Sequence, residues 1–397
     1  MINIQNPQDC CGCEACAAVC PRQCISMQEN EEGFLYPLVD VSKCIQCGLC
    51  NKVCPWENIP DIPQALHEPL VYAGWNLNEV VRRESSSGGV FTVLAEHVLK
   101  QGGIVVGASF VQNCTKVEHI VVDSLEELPR LRKSKYVQSS IPQAIYHTIK
   151  KRLLSGSKVL FTGTGCQVVA VKNYLGHDYE NFYACDLICC GVASPGWYRR
   201  YVKKLGEREN ESLVTINMRS KHEGWTNYGV CEEYASKTKF LKVHQCLWSY
   251  SFLKKLTHRY SCFECKFARS KREGDITLGD FWGVKDKYPQ YDKEDKGTSL
   301  LIVSSAKGQA LLDDCSKNLF LGKADIEHAR KKNRKLVKPF PMPEERKTFF
   351  NDAKILSLKE LRRKYKIYHI SLPERLLRKI FIGAPRKILS IIKNRGN

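Results

Sequence analysis

No stretch of this 397-residue sequence approaches the roughly 20 apolar residues that a bilayer-spanning helix needs. The opening residues, MINIQNPQDC, carry no basic segment leading into an apolar one, so no secretory leader is expected. Acidic residues are in deficit: Lys+Arg minus Asp+Glu is 61 − 42 = +19. That excess suits an acidic partner or an anionic surface. No nucleic-acid module or aromatic-basic stacking surface accompanies it, so nucleic acid is not expected as a partner. Apolar residues are not scarce, at 43%, which excludes a disordered polymer, and the length suits two or three domains.

Cysteine is in excess. Ten of the 20 lie between Cys10 and Cys54, and in the reducing cytoplasm expected for a leaderless chain such density binds metal more often than it forms disulfides. Cys10, Cys13, Cys16 and Cys20, followed by Pro21, read C-x2-C-x2-C-x3-C-P; Cys44, Cys47, Cys50 and Cys54, followed by Pro55, repeat it. Three closely spaced thiolates can wrap a cubane corner by corner, and the fourth cysteine of each run ligates the other cluster. Cluster I would then use Cys10, Cys13, Cys16 and Cys54, and cluster II Cys44, Cys47, Cys50 and Cys20. Structural zinc, the alternative, prefers two close pairs separated by a longer loop. Cys11 falls outside the pattern as a bystander near enough for a ligand swap, and Cys24 as filling for a small core. Residues 1–58 resemble a bacterial-type ferredoxin with two 4Fe-4S clusters, a small α+β module.

Pro55, Pro60, Pro63 and Pro69 mark an extended connector, placed at 59–70. Beyond it the text turns α/β, with a first domain at 71–156 and a second at 157–340. Gly88 and Gly89 precede a helix over VFTVLAEHVLK, a glycine-bounded strand follows in GGIVVGASF, and Pro142 to Leu154 reads as a helix closed by Gly156. Strand KVLFTG, helix CQVVAVKNYLG, strand NFYACDLICC and helix PGWYRRYVKKLG alternate as a mixed, largely parallel sheet requires. Strands are also expected in DITLGDF and TSLLIVSS. No repeat is evident in residues 70–340.

Two loops at helix starts could cradle a pyrophosphate: Ser85 to Gly89, and Thr162, Gly163, Thr164 and Gly165 after a buried strand. Neither is a Walker A loop, and a tight turn explains either one alone more often than a phosphate does. The Cys262-x2-Cys265 pair is metal-like by itself. His222, Asp280 and Trp282 read as structural residues near a pocket, and Glu96 and His97 as a polar helix face.

SSSGGVFT at 85–92, KSKYVQS at 133–139, FTGTGCQ at 161–167, DLICCGVASP at 186–195 and SCFECKFARSKREGDITLGDFWG at 261–283 follow one another in order. Together they resemble the beta subunit family of coenzyme F420-reducing hydrogenases and dehydrogenases. The resemblance implies a flavoprotein in which FAD exchanges a hydride with a deazaflavin or another small organic substrate and trades single electrons with iron-sulfur clusters. It implies flavin contacts at Ser87, Gly88, Gly89, Lys135 and Tyr136, and at Thr162, Gly163, Thr164 and Gly165. It also places Cys166, Cys189, Cys262 and Cys265 as a third metal site, cluster or zinc, against a reading of two buried cysteines and a lone pair. The chain departs from the family pattern where relatives carry Gly-Thr-Pro-Cys and Cys-His-Gly: here stand Gly163-Thr164-Gly165-Cys166 and Cys189-Cys190-Gly191.

Residues 354–397 hold 13 Lys+Arg against Glu360 and Glu374. Leu376, Leu377, Ile380, Phe381, Ile388, Leu389, Ile391 and Ile392 recur among the basic residues at near-helical spacing, so 341–397 reads as a basic amphipathic tail. It suits peripheral contact with the inner face of a membrane, docking on the body, or an acidic redox partner protein or reduced carrier. Relatives of this family outside deazaflavin metabolism suggest a glycan or lipid-linked substrate and a place in polysaccharide synthesis. The competing expectation is a non-catalytic electron-transfer subunit of a larger redox complex.

Overall fold

The computed structural model describes residues 1–62, 65–292 and 294–367. The cysteine-rich segment folds into two short helices, Ala15–Val19 and Leu49–Lys52, and an antiparallel hairpin of β1 (Ile25–Glu29) and β2 (Leu35–Val39). The repeat in sequence is also a repeat in backbone. The residue before each helix, Glu14 or Gly48, is left-handed, with φ of 68° and 74°. Glycine adopts this freely; Glu14 is held there while its carboxylate accepts a hydrogen bond from the Ile141 N–H at 3.2 Å.

Along the body come β3 (Ala65–Asn76), β4 (Ile104–Val111), β5 (Lys116–Val122), β6 (Val159–Thr164), β7 (Phe182–Leu187), β8 (Leu213–Ser220), β9 (Gly229–Tyr234), β10 (Thr238–Lys242), β11 (Ile276–Asp280), β12 (Ser299–Ser305) and β13 (Leu319–Lys323). Among the described residues, eight form one sheet in the order β13-β3-β12-β11-β7-β6-β4-β5, and β8, β9 and β10 form a separate antiparallel sheet. The centre, β4-β6-β7-β11, is parallel, and the outer pairs on both sides are antiparallel.

Alternation along the central strands sends side chains to both faces. Ile104 and Val106 pack with helices Gln143–Leu154 and Gly165–Leu175, while Val105 packs with helices Val90–Lys100 and Ala306–Cys315. The expected helices and strands of this region therefore stand within about three residues of their places, and the sheet is buried on both sides.

Two boundaries differ from the sequence reading. Residues 65–70 of the expected connector already belong to β3. Pro69 fits there because the pairing of β3 with β12 is irregular between Val303 and Ser305, so no ladder bond is lost to its missing N–H. The expected basic tail also starts too early: helices Arg346–Ile355 and Leu358–Lys364 bury Phe349, Phe350, Leu361 and Ile367 in the same core as Trp197, Trp248 and Phe34. Leu376, Leu377, Ile380, Phe381, Ile388, Leu389, Ile391 and Ile392 lie outside the described residues.

The cysteine-rich module is seated on the body. Arg259, fully buried, donates to the Cys10 carbonyl at 2.7 Å and the Leu35 carbonyl at 2.9 Å, and its guanidinium lies 4.1 Å from the Tyr36 ring centre. Gly12 is needed at this seam, because a Cβ there would fall 2.4 Å from Gln138 Nε2 and 2.8 Å from Arg259 Nη1. Tyr146 donates to the Cys13 carbonyl at 2.7 Å, and Arg346 Nη1 reaches Glu32 at 2.8 Å.

His119 shows how tightly the β5–β6 side is packed. Its ring stacks on Phe161 and its Nε2 lies 3.0 Å from the Thr162 carbonyl, and burial lowers its pKa to about 4. A histidine held neutral in the fold but titrating near 6.5 when unfolded contributes stability that is present above pH 6.5 and lost as pH falls toward 4. Anaerobic chemical unfolding between pH 6.5 and 5 should show stability falling with acid, with a shallower slope in His119→Gln; an identical slope would assign the acid sensitivity elsewhere.

Candidate iron-sulfur centres and redox cleft

The eight ferredoxin-type cysteines separate into two groups, each taking its fourth member from the other run. Cys10, Cys13 and Cys54 are the neighbours whose charges bear on Cys16, whereas Cys20, Cys44, Cys47 and Cys50 line one cavity with Cys24. Burial raises the thiols of Cys10, Cys16 and Cys54, the last to about 11, so these side chains become thiolates only with cationic metal beside them. Backbone N–H groups already point at sulfur: Ile2 donates to Cys50 at 3.1 Å and Gly12 to Cys10 at 3.3 Å. Thiols ranged around a space suit a cubane, which brings its own iron corners. The two groups also differ in setting. The first faces the body, and the second opens outward, with Cys47 exposed and Ile45 beside it 60% exposed.

The parallel strands carry a second set of cysteines to their C-terminal edge, where such sheets place their ligands. Cys166 opens the helix after β6, Cys189 follows β7, and Cys262 and Cys265 lie in the turn after Arg259. All four line a single cavity, together with Cys11, Trp56 and the buried Lys335. The cavity presents donors to its sulfurs: Gly191 N–H to Cys189 at 3.3 Å, Val192 N–H to Cys262 at 3.4 Å, and the Thr164 hydroxyl 3.1 Å from Cys166. Cys11, set aside in sequence as a bystander, joins the two regions. It shares hydrogen bonds with Cys13 of the first group and with Cys166, and that contact lowers the Cys166 thiol to about 7. Cys24 fills the small core, as expected from the sequence, and sits 3.4 Å from Cys20.

The two glycine loops have different fates. The Ser-Gly loop and the Lys135 segment come together, since Ser134 N–H donates to Ser86 Oγ at 2.8 Å. Ser87 donates to the Thr298 carbonyl at 3.0 Å, and Gly88 has no room for a Cβ, which would stand 2.3 Å from the Gly74 carbonyl; Gly89 caps the following helix with φ of 82°. Thr162, Gly163 and Thr164 are instead the last rungs of β6 against β7. Thr162 donates to the Val106 carbonyl, Thr164 caps the next helix in a box with Gln167, and Gly165 faces Phe267, so this loop serves the cysteine cavity. Lys135 turns its amine to the carbonyls of Arg130 and Arg132 at 3.1 and 2.6 Å, and burial lowers it to about 7. Tyr136 stacks on Phe252 with ring centres 4.5 Å apart.

Family models match in three places: a 4Fe-4S dicluster domain at 9–58, the N-terminal part of the coenzyme F420 hydrogenase/dehydrogenase beta subunit at 71–146, and its C-terminal part at 156–329. The two beta-subunit parts together span more than half of the chain. The chain belongs to the coenzyme F420 hydrogenase/dehydrogenase beta subunit family. The family is one of iron-sulfur oxidoreductases, and the dicluster match makes the N-terminal module of this chain an iron-sulfur one. A curated relative, the coenzyme F420-dependent sulfite reductase of Methanocaldococcus jannaschii, is 27% identical over 188 residues, 43% of this chain. The chain spans about a quarter (27%) of that relative's length. A solved structure, that of the F420-reducing [NiFe] hydrogenase complex from Methanosarcina barkeri, is similar at TM-score 0.45 and 16% identity, over 79% of this chain and 97% of that one. Among the described residues no helix is long and apolar enough to cross a membrane.

Crossed ligation has a direct test. Cys54→Ser should damage the cluster held by Cys10, Cys13 and Cys16 and spare the other, and Cys20→Ser should do the reverse, as read by electron paramagnetic resonance of the dithionite-reduced protein. Damage confined to each cysteine's own run would refute the assignment.

Proposed function

We propose that this member of the family is a flavin-dependent iron-sulfur oxidoreductase, with three 4Fe-4S clusters and FAD, acting on a small organic substrate. The observation that carries the reading is the single cavity built by Cys166, Cys189, Cys262 and Cys265 from three separate segments, with Cys11 and Trp56 of the ferredoxin module in its wall. A one-electron path then runs from the exposed Cys47 side through the group containing Cys13, past Cys11, to the four-cysteine cavity. The beta-subunit models matched over 71–146 and 156–329 support the same arrangement.

The flavin belongs beside the Ser87 to Gly89 loop and Tyr136, near Cys190. When bound there, it supplies the conversion between a hydride and single electrons. Clusters held by the two ferredoxin groups and by Cys166, Cys189, Cys262 and Cys265 would carry the single electrons to or from a redox partner. Ser87 and Gly88 hold the loop to β12, Tyr136 stacks on Phe252, and the Lys135 amine rigidifies its own loop through two carbonyls.

The substrate class is a deazaflavin of the F420 kind, as in the name of the sulfite reductase relative, or a glycan or lipid-linked intermediate. Cys190, standing where the family pattern has histidine, favours the second by removing a proton carrier at that position. Residues 368–397 would then supply contact with an anionic membrane and the acidic redox partner its basic counterpart.

Anaerobic purification with iron, sulfide and flavin analysis should give about twelve irons per chain and one flavin, falling to about eight irons in Cys262→Ser. Eight irons in the unaltered protein, or zinc in place of the extra four, would refute the third cluster. Turnover with artificial dyes alone, and none with organic substrates, would make the chain an electron-transfer subunit. Removal of residues 368–397 should leave the cluster signals intact and abolish binding to anionic vesicles; unchanged partitioning would remove the membrane role.

A further inference from the structure

Beside the four-cysteine cavity lies a side-chain cluster that none of this uses. Arg219, near the end of β8, is 5% exposed. Its Nη1 donates to Asp280 Oδ2 at 2.6 Å, and the other oxygen of Asp280 accepts from Trp225 Nε1 at 2.8 Å. The guanidinium is held between two rings, 4.3 Å from the centre of Tyr228 and 4.9 Å from that of Trp282, which itself stacks on Trp225. Its other two nitrogens, Nε and Nη2, make no hydrogen bond of ordinary geometry, although the Tyr136 hydroxyl also bears on the guanidinium.

Those two atoms are not an arbitrary pair. With Nη1 on Asp280, Nε–H and Nη2–H form the side-on fork of the guanidinium, two parallel donors that match two acceptor atoms lying in one plane. Asp280 and the flanking rings fix the plane of the fork, and leaving buried charged donors unmade is costly. The surroundings are open on one side, since Cys190 is exposed and Tyr136, Tyr228 and Trp282 are half-buried. The strand end also reaches the Ser-Gly loop, where the Lys221 amine donates to the Ser87 carbonyl at 2.8 Å. Arg219 lies two residues from Lys221, which binds the loop assigned to the flavin, and its charge bears on Cys190, next to Cys189 of the cavity. Lys135 cannot serve in its place, because its amine is committed to two carbonyls.

We infer that Arg219 is the anchor for a planar, two-acceptor anionic edge bound in this cleft. Two sources share that chemistry: the pyrimidine edge of a reduced flavin, which rests on the function proposed above, and a carboxylate or phosphate on the substrate, which does not need the flavin. Asp280, Tyr228 and Trp282 are positioning residues that aim the fork.

The test uses the full-length, cluster-loaded protein with Arg219→Gln and Arg219→Lys, the second retaining charge but not the fork. Two readouts separate the sources: the midpoint potential of the bound flavin, and protection of Cys190 from iodoacetamide by inorganic phosphate, followed by peptide mass spectrometry. A flavin source predicts a lower potential in Arg219→Gln and a smaller shift in Arg219→Lys. A substrate source predicts an unchanged potential and loss of phosphate protection in both variants. If the unaltered protein carries no flavin, the proposed function fails while the protection measurement still tests Arg219. If neither readout moves in Arg219→Lys while the cluster signals stay as in the unaltered protein, the fork holds only water and the inference is overturned; the same comparison stands should Arg219→Gln fail to fold.

Discussion

The buried guanidinium of Arg259 is the contact on which the arrangement of redox sites depends. It donates to the carbonyl of Cys10 in the first ferredoxin group and to that of Leu35 in the hairpin, while its own carbonyl accepts from Cys262 N–H at 3.0 Å. One residue thus holds the loop of one thiol group and starts the turn of another. A buried cation also answers the electrostatics of the region, since an oxidised 4Fe-4S centre with four thiolates is a net dianion and charge is expensive to bury unpaired. Burial would lower the affinity of that arginine for its proton, yet the neighbouring Cys10, Tyr36 and Cys11 groups hold its pKa above the ordinary value.

Around this contact the fold does two separate jobs. Parallel strands β6, β7 and β11 end at one edge and deliver Cys166, Cys189, Asp280 and Trp282 there, whereas the antiparallel flanks close the sheet and carry no thiol of the cavity. The small sheet adds Arg219 from β8, and Tyr228, just ahead of β9, packs against its guanidinium. The function proposed above needs both halves, the thiols to hold metal and the oriented polar groups to hold an organic substrate.

The parts of this that were legible in the sequence are those written in short spacing. The doubled C-x2-C-x2-C-x3-C-P runs located two cysteine groups and their crossed fourth members, and alternating strand and helix periods located the central sheet. Cys166, Cys189, Cys262 and Cys265 could be joined only through resemblance, since they come from three segments that nothing in local pattern brings together. Arg219 and Arg259 escaped altogether, because an arginine among 61 basic residues carries no mark of burial, and Cys11 read only as a bystander near enough for a ligand swap until the body is seen to meet it. The helices at 346–364 were misread for a related reason. Their basic residues outnumber the acidic ones, but Phe349, Phe350 and Leu361 share the inward face, and composition does not record which face a core will claim.

That inward face has a consequence for how the chain is made. Phe34, at the tip of the hairpin, is wholly covered, with Phe350 edge-on at 6.1 Å, and Arg346 pairs with Glu32 beside it. The cover is among the last of the described residues to leave the ribosome, and the hairpin among the first. The hairpin tip therefore depends for its cover on residues 314 positions further along the chain, and a chain made only as far as residue 345 would leave Phe34 bare.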